Sequence, residues 1–287
     1  MKALHLIRKH TIVSCTYAIV YKGDFMKYLE GKIIETVKLT QEIEGITVSD
    51  NTEIMLRALV RGVKSNEQLL KEIKQARRLK KADKSERVSI GTSGVYTYPG
   101  TDILINTFDE RNQENLDAIE EEITSVILGS LMIQSLKGDF SFKHLKGVHK
   151  RIFEEIYPFA GEIRKVNISK GGPGFCQVIF IEPIADETFR KLRKDDFLKG
   201  LDEDTFKEKL LYYMGELNAL HPFREGNGRA LREFLRDLCL NAGWLLDYTS
   251  FSKEQILEAD ICLFNGIEAK MKYLLDQGLV TAVEKEF

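Results

Sequence analysis

Cysteine is scarce in this chain. Four are spread over 287 residues (Cys15, Cys176, Cys239 and Cys262), and no two form a CxxC pair. That spacing offers neither a disulfide framework nor a zinc ribbon, and it fits reduced thiols in a cytoplasmic protein. An excess of one charge is lacking too, because 42 Lys and Arg stand against 44 Asp and Glu. Bulk electrostatics therefore points to no nucleic-acid or membrane surface. Long apolar runs are missing; the stretch at residues 11–21 is too short and too polar to span a bilayer. Repeats and low-complexity tracts are absent as well. What remains is an ordinary globular composition, 43% hydrophobic and 30% charged, long enough for one or two domains with a substantial core.

Residues 1–25, MKALHLIRKHTIVSCTYAIVYKGDF, are basic with a modest apolar stretch and lack a good signal-peptide cleavage site. They read as an upstream extension before Met26 or as a short leading strand, with no role assigned. Over residues 26–81 the periodicity predicts three helices. In the first, Ile33, Val37, Thr40 and Glu44 fall on one stripe, and Gly45 supplies the stop. Asp50 or Asn51 is the expected N-cap of the second, which Gly62 ends, and Ser65 opens the third. A charged, Gly/Ser-rich stretch at residues 82–96 reads as a linker. Helical patterns then dominate residues 97–275, and residues 276–287 read as a tail. The exception is VNISKGGPGFCQVIFIEP, where a strand-like run, a turn and a second β-rich run predict a hairpin. The fold class is all-α with one small hairpin.

The densest chemistry lies in HPFREGNGRALR, residues 221–232. Pro222 forces the preceding helix to stop, so His221 sits at a helix end. Gly226 and Gly228 permit a nest of backbone N–H groups, and the positive end of the next helix faces the same point. Arg229, Arg232 and Arg236 follow at offsets of three and four on one face. Nest, helix terminus and arginines together describe a polyphosphate site. Glu225 beside it suits Mg²⁺, which binds phosphates with one or two carboxylates and water. His221 is the side chain nearby suited to moving a proton near neutral pH.

The stretch His221–Arg232 resembles the signature of Fic-domain AMP-transferases, HPFx(D/E)GNGRxxR, without departure. YPFAGEIR, residues 157–164, is similar to a second family segment, with Phe159 where Trp is usual, and ISKGGPGFC, residues 168–176, resembles its flap. The resemblance implies a helical core that transfers AMP from ATP to a protein hydroxyl. It makes His221 the general base and Glu225 the Mg²⁺ ligand, while Asn227 orients the α-phosphate. Gly226 and Gly228 cradle oxygens, Arg229 and Arg232 meet the β- and γ-phosphates, and Arg224, Lys170 and Gly171 border the nucleotide. Ser169, Gly172, Phe175 and Val178 in the flap would pin the target segment by strand addition.

Residues 40–45, TQEIEG, match the family's inhibitory pattern (S/T)xxxE(G/N), and the three-helix segment resembles VbhA-like antitoxins. Thr40, Glu44 and Gly45 carry that match. The resemblance thus implies an autoinhibited toxin–antitoxin pair on one polypeptide, with Glu44 competing with the γ-phosphate for Arg232. The implied targets are the ATPase subunits of DNA gyrase or topoisomerase IV, although no residue identifies them. Removal of AMP with Glu44 activating water, a nucleotide-binding module without turnover, and phosphate transfer stay open as alternatives. The intact His221 argues against a mere binding module. Glycine rather than lysine at position 228 argues against phosphate transfer.

Overall fold

A computed structural model describes residues 22–82, 94–169 and 174–281. Residues 1–21 of the leader, residues 83–93 of the linker and the flap positions Lys170, Gly171 and Gly172 lie outside the described residues. The chain is mostly helical, as expected.

Helix α1 (Lys22–Ile43) begins four positions before Met26. It buries Ile33, Ile34 and Val37 and ends where Gly45 turns left-handed (φ 79°). There the Ile46 N–H reaches back to the Gln41 carbonyl at 3.0 Å, satisfying an orphan acceptor of the last turn. Helix α2 (Asp50–Val60) is capped by Ser49, one residue earlier than expected, whose hydroxyl accepts from the Thr52 N–H. The reason lies outside the segment. Glu121, from a later helix, accepts from the Ser49 N–H (3.1 Å) and the Thr52 hydroxyl (3.1 Å), so the cap is built by two elements. Helix α3 (Asn66–Ala82) opens at Ser65 as expected, with reciprocal Ser65–Gln68 bonds.

Helix α4 (Gln113–Ile133) is the central rod, with Ile123, Val126, Ile127 and Leu128 at most 1% exposed. A helix apolar on all sides must be covered on all sides. Helices α1, α2 and α3 pack on it, as does α5 (Phe142–Phe153). Gly129 permits the closest approach, since a Cβ there would lie 2.7 Å from Leu56 Cδ2 of α2. One apolar cluster runs from Ile33 to Leu279 without a break at the linker. Polar latches follow the same seam: Lys32 Nζ bonds Asp247 Oδ2 (3.1 Å) and Thr249 Oγ1 (2.7 Å), and Arg77 pairs with Glu122.

Helix α6 (Val178–Lys194) corrects one expectation. The β-rich run QVIFIEP forms the start of this helix, not the second arm of a hairpin. Ile181, Ala185, Phe189 and Leu192 recur at helical spacing and are all buried, so core packing overrides the strand preference of Val178, Ile179 and Phe180. After a short 3₁₀ turn come α7 (Glu203–Leu220), α8 (Asn227–Asn241), β1 (Trp244–Leu246), α9 (Lys253–Phe264), α10 (Ala269–Gly278) and β2 (Leu279–Thr281). The sheet is antiparallel β1–β2, pairing Trp244 with Thr281 and Leu246 with Leu279. Residues 276–281, expected as the start of a tail, therefore complete α10 and this sheet. Among the described residues no helix is long and apolar enough to cross a membrane.

Candidate active site

The site is built at the turn from α7 to α8. Helix α7 ends at His221, which adopts a left-handed conformation (φ 44°, ψ 60°). Such a conformation is costly for a residue with a Cβ and persists where neighbours impose it. Arg164 imposes it here. Its guanidinium, 1% exposed, donates from Nε to the His221 carbonyl (2.9 Å), from Nη1 to the Val166 carbonyl (2.8 Å) and from Nη2 to the Cys176 carbonyl. The Arg164 N–H also reaches the Pro222 carbonyl at 2.9 Å. The imidazole Nδ1 of His221 faces the Asn218 carbonyl (3.3 Å), which places the ring proton on Nδ1 and the basic lone pair on Nε2. Phe175 stacks on this ring, centroid to centroid 3.7 Å.

The loop itself is fixed by two side chains. Asn227 accepts from the Phe223 N–H and donates to the Phe223 carbonyl, both at 2.8 Å, closing the turn like a rung of a ladder. His149 of α5 donates from Nε2 to the Glu225 carbonyl (2.8 Å) and accepts at Nδ1 from the Gly161 N–H (2.8 Å), while stacking on Phe223. Burial pushes its pKa down to about 4, so it stays neutral and keeps both roles. Gly226 is left-handed (φ 74°), and a Cβ there would run into the Phe153 ring.

Past the loop, the first turn of α8 gathers the anion-binding groups. Arg229 is 1% exposed, bonds Glu120 Oε1 of α4 (2.6 Å), and lies over the Phe153 ring at 4.8 Å. Among the described residues its Nε and Nη1 are buried without an acceptor, as is Nε of Arg232. Idle buried guanidinium donors are costly, and they are the arrangement an absent anion would complete. Arg232 pairs with Glu44 through Nη2, which also lies 3.5 Å from the Thr40 carbonyl; its Nη1 stands 4.0 Å from Asp260 Oδ2. The Glu44 carboxylate lies against the Cα of Gly228, at the positive end of α8. The chain's own carboxylate thus sits at the N-terminus of α8, paired with Arg232.

Glu225 turns its Oε1 to the Gly226 N–H (2.9 Å). Burial and then Glu120 push its pKa up, although 39% of the side chain stays open to solvent. Among the described residues no group of three or more His, Cys, Asp and Glu side chains converges. One reachable carboxylate beside idle phosphate donors fits a magnesium ion that takes its other ligands from nucleotide and water.

Most of the residues singled out from sequence meet here: His221, Glu225, Gly226, Asn227, Gly228, Arg229 and Arg232, with Thr40 arriving on α1 and Glu44 and Gly45 just beyond its end. Arg224 stands at the margin, 5.9 Å from the Tyr96 ring. Of the flap, Ser169 is exposed, Phe175 covers His221, and Val178 opens α6 with its N–H on Asn167. Arg236 leaves the site, held by Glu233, Asp237 and the Leu131 carbonyl. Sequence reasoning missed Glu120, His149 and Asp260, which come from distant helices and belong to no motif. Tyr157 and Arg164 lay inside YPFAGEIR, but their tasks are visible only in three dimensions.

Residues 139–239 match the Fic/DOC family. The probable protein adenylyltransferase Fic of Escherichia coli K12 is 33% identical over 159 residues, covering 55% of this chain and 78% of that relative. The chain belongs to the Fic/DOC family. This Fic chain is also 35% identical over 189 residues to protein adenylyltransferase VbhT of Bartonella schoenbuchensis, covering 66% of itself but 40% of that longer relative. The crystal structure of the Bartonella tribocorum effector BepC with bound AMPPNP shares the Fic fold. It superposes with a TM-score of 0.61 at 23% identity, over 66% of this Fic chain and 97% of that one.

Proposed function

We propose that this Fic chain is a protein adenylyltransferase, moving AMP from ATP to a hydroxyl of a protein side chain, and that it rests in a locked state. The observation that carries the reading is the Glu44–Arg232 pair seated on Gly228: an anion site at a helix N-terminus, closed by an internal carboxylate. The names of the relatives and the AMPPNP bound to BepC support nucleotide chemistry in this fold.

His221 supplies the base. With Nδ1 tied to the Asn218 carbonyl, Nε2 takes the proton of the target hydroxyl as its oxygen bonds to the α-phosphorus and pyrophosphate leaves. The idle donors of Arg229 and Arg232 hold the terminal phosphates, and the helix terminus with Gly226 and Gly228 cradles oxygens. Glu225 would hold magnesium, which neutralises phosphate charge when bound. Glu44 opposes all of this by placing a negative charge where a phosphate must sit. Helices α1–α3 thus read as a built-in antitoxin module, residues 26–81, and the gyrase or topoisomerase IV ATPase subunits are the first targets to try.

Incubating the Glu44→Gly chain with candidate targets and ATP labelled at the α- or the γ-phosphate tests the reading. Label from the α position alone, lost in a further His221→Ala substitution, is the expected result. Transfer of γ label, or retention of activity without His221, would overturn it.

A further inference from the structure

Glu120 is a buried group that this mechanism leaves unused. It sits on α4, outside the matched family region, yet both of its oxygens point into the site. Oε1 accepts from Arg229 Nη2 at 2.6 Å and Oε2 accepts from the Tyr157 hydroxyl. All three side chains are nearly inaccessible, with Glu120 8%, Tyr157 3% and Arg229 1% exposed. Ring packing holds Tyr157 in turn, since it stacks on Phe159 at 5.1 Å and Phe159 meets Tyr96 edge-on.

Arg229 has a second acid within reach. Glu225 is four residues before it on the chain, and its Oε1 lies 3.7 Å from Arg229 Nη2, the same nitrogen that Glu120 engages. At that distance the two already form a loose ion pair, with about an ångström left to close. In this structure Glu120 wins by about an ångström, and Glu225 keeps its oxygen on the Gly226 N–H. A closed Arg229–Glu225 pair would consume one phosphate donor and the carboxylate suited to magnesium in a single contact.

We infer that Glu120 is a positioning residue that keeps Arg229 from closing fully on Glu225, holding that ion pair at 3.7 Å so that each can meet the nucleotide. Tyr157 orients it for that task. The inference rests on the nucleotide-binding reading given above. It also accounts for the two idle donors of Arg229: Glu120 fixes the guanidinium through one nitrogen and leaves Nε and Nη1 unspent.

The test is calorimetric and independent of turnover. Using the Glu44→Gly chain as parent, Mg·ATP is titrated over a range of magnesium concentrations into Glu120→Gln, Glu225→Ala and the double variant. Glutamine keeps the shape and the acceptor for Tyr157 but removes the charge that holds Arg229. Affinity should fall about tenfold, in the range of couplings between contacting residues. The magnesium dependence should move to higher concentration. Glu225→Ala should also weaken binding less in the Glu120→Gln background than in the parent, because there it releases Arg229. A structural role alone would lower the melting temperature without that coupling. Equal affinities at every magnesium concentration, with the same loss from Glu225→Ala in both backgrounds, would overturn the inference. Tyr157→Phe gives a second route, since it keeps the Glu120 charge and loses one anchor. A smaller loss with the same coupling supports the inference, and none refutes it. A parent that binds no Mg·ATP would instead bring down the functional reading and this inference with it.

Discussion

Replacing Glu44 by glycine removes one carboxylate from a partly buried pair, where Arg232 and Glu44 side chains are 14% and 19% exposed. A terminal phosphate held by Arg232 would stand about 4–5 Å from that carboxylate. At an effective dielectric of about 20, unit charges at this distance repel by about 3–4 kcal/mol. Since about 1.4 kcal/mol is a factor of ten, the productive nucleotide pose should gain about 10²–10³ in population, and α-label incorporation should rise by a similar factor. The unliganded variant should be less stable, but Arg232 keeps Asp260 at 4.0 Å and the N-terminal helices keep their core. A loss of about 1–3 kcal/mol lowers the melting temperature by roughly 2–10 °C. Mg·ATP should restore it by binding the freed arginine. Arg232→Ala must not mimic the release, because it deletes the phosphate contact along with the lock. If Glu44→Gly binds Mg·ATP calorimetrically yet labels no faster than about threefold over the parent, Glu44 is not what holds the enzyme off.

Gly226→Ala combines a left-handed backbone with a collision against Phe153, and should destabilise by about 2–5 kcal/mol in urea unfolding; a change below 1 kcal/mol would show that the loop can yield. His149 has its pKa lowered to about 4, so its stabilising contribution is fully present above about pH 6.5 and fades toward pH 4 as the unfolded chain takes up the proton first. By that shift, the chain should lose about 2–3 kcal/mol between pH 7 and 4.5 that His149→Gln does not lose, and equal pH slopes would contradict it. Gln41, fully buried, donates to the Thr124 (2.6 Å) and Ser125 (2.8 Å) hydroxyls. Gln41→Ala should weaken docking of α1 by about 1–3 kcal/mol and raise basal labelling accordingly, whereas unchanged labelling would mean that the docking of α1 does not depend on these bonds.

The helical plan was legible because the local signals agree with the packing: Gly45, Gly62 and Ser65 mark ends that the structure keeps. The catalytic loop was legible for the same reason, since Pro222, the glycines and the arginines act within twelve residues of one another. Where local and long-range forces disagree, sequence reading failed. Val178, Ile179 and Phe180 favour a strand, but burial of Ile181, Ala185, Phe189 and Leu192 decides for a helix. The cap of α2 moved to Ser49 because Glu121 reaches it from α4. Glu120 and His149 had no local signature at all; each acts on a residue about 75 to 110 positions away.

The close approach at Gly129 has a consequence for how such an enzyme can be switched. Leu56 and Leu59 of α2 lie directly on α4 there, and Ile34, Val37 and Leu69 join the same cluster. A segment that supplies one wall of the core cannot be discarded cheaply. Excising residues 22–82 would bare the apolar flank of α4 and leave an adhesive surface. A displacement confined to residues 40–45 uncovers Arg232 and leaves that wall standing. The part that holds the protein together is thus distinct from the part proposed to hold it off, and the division falls a few residues before the end of one helix.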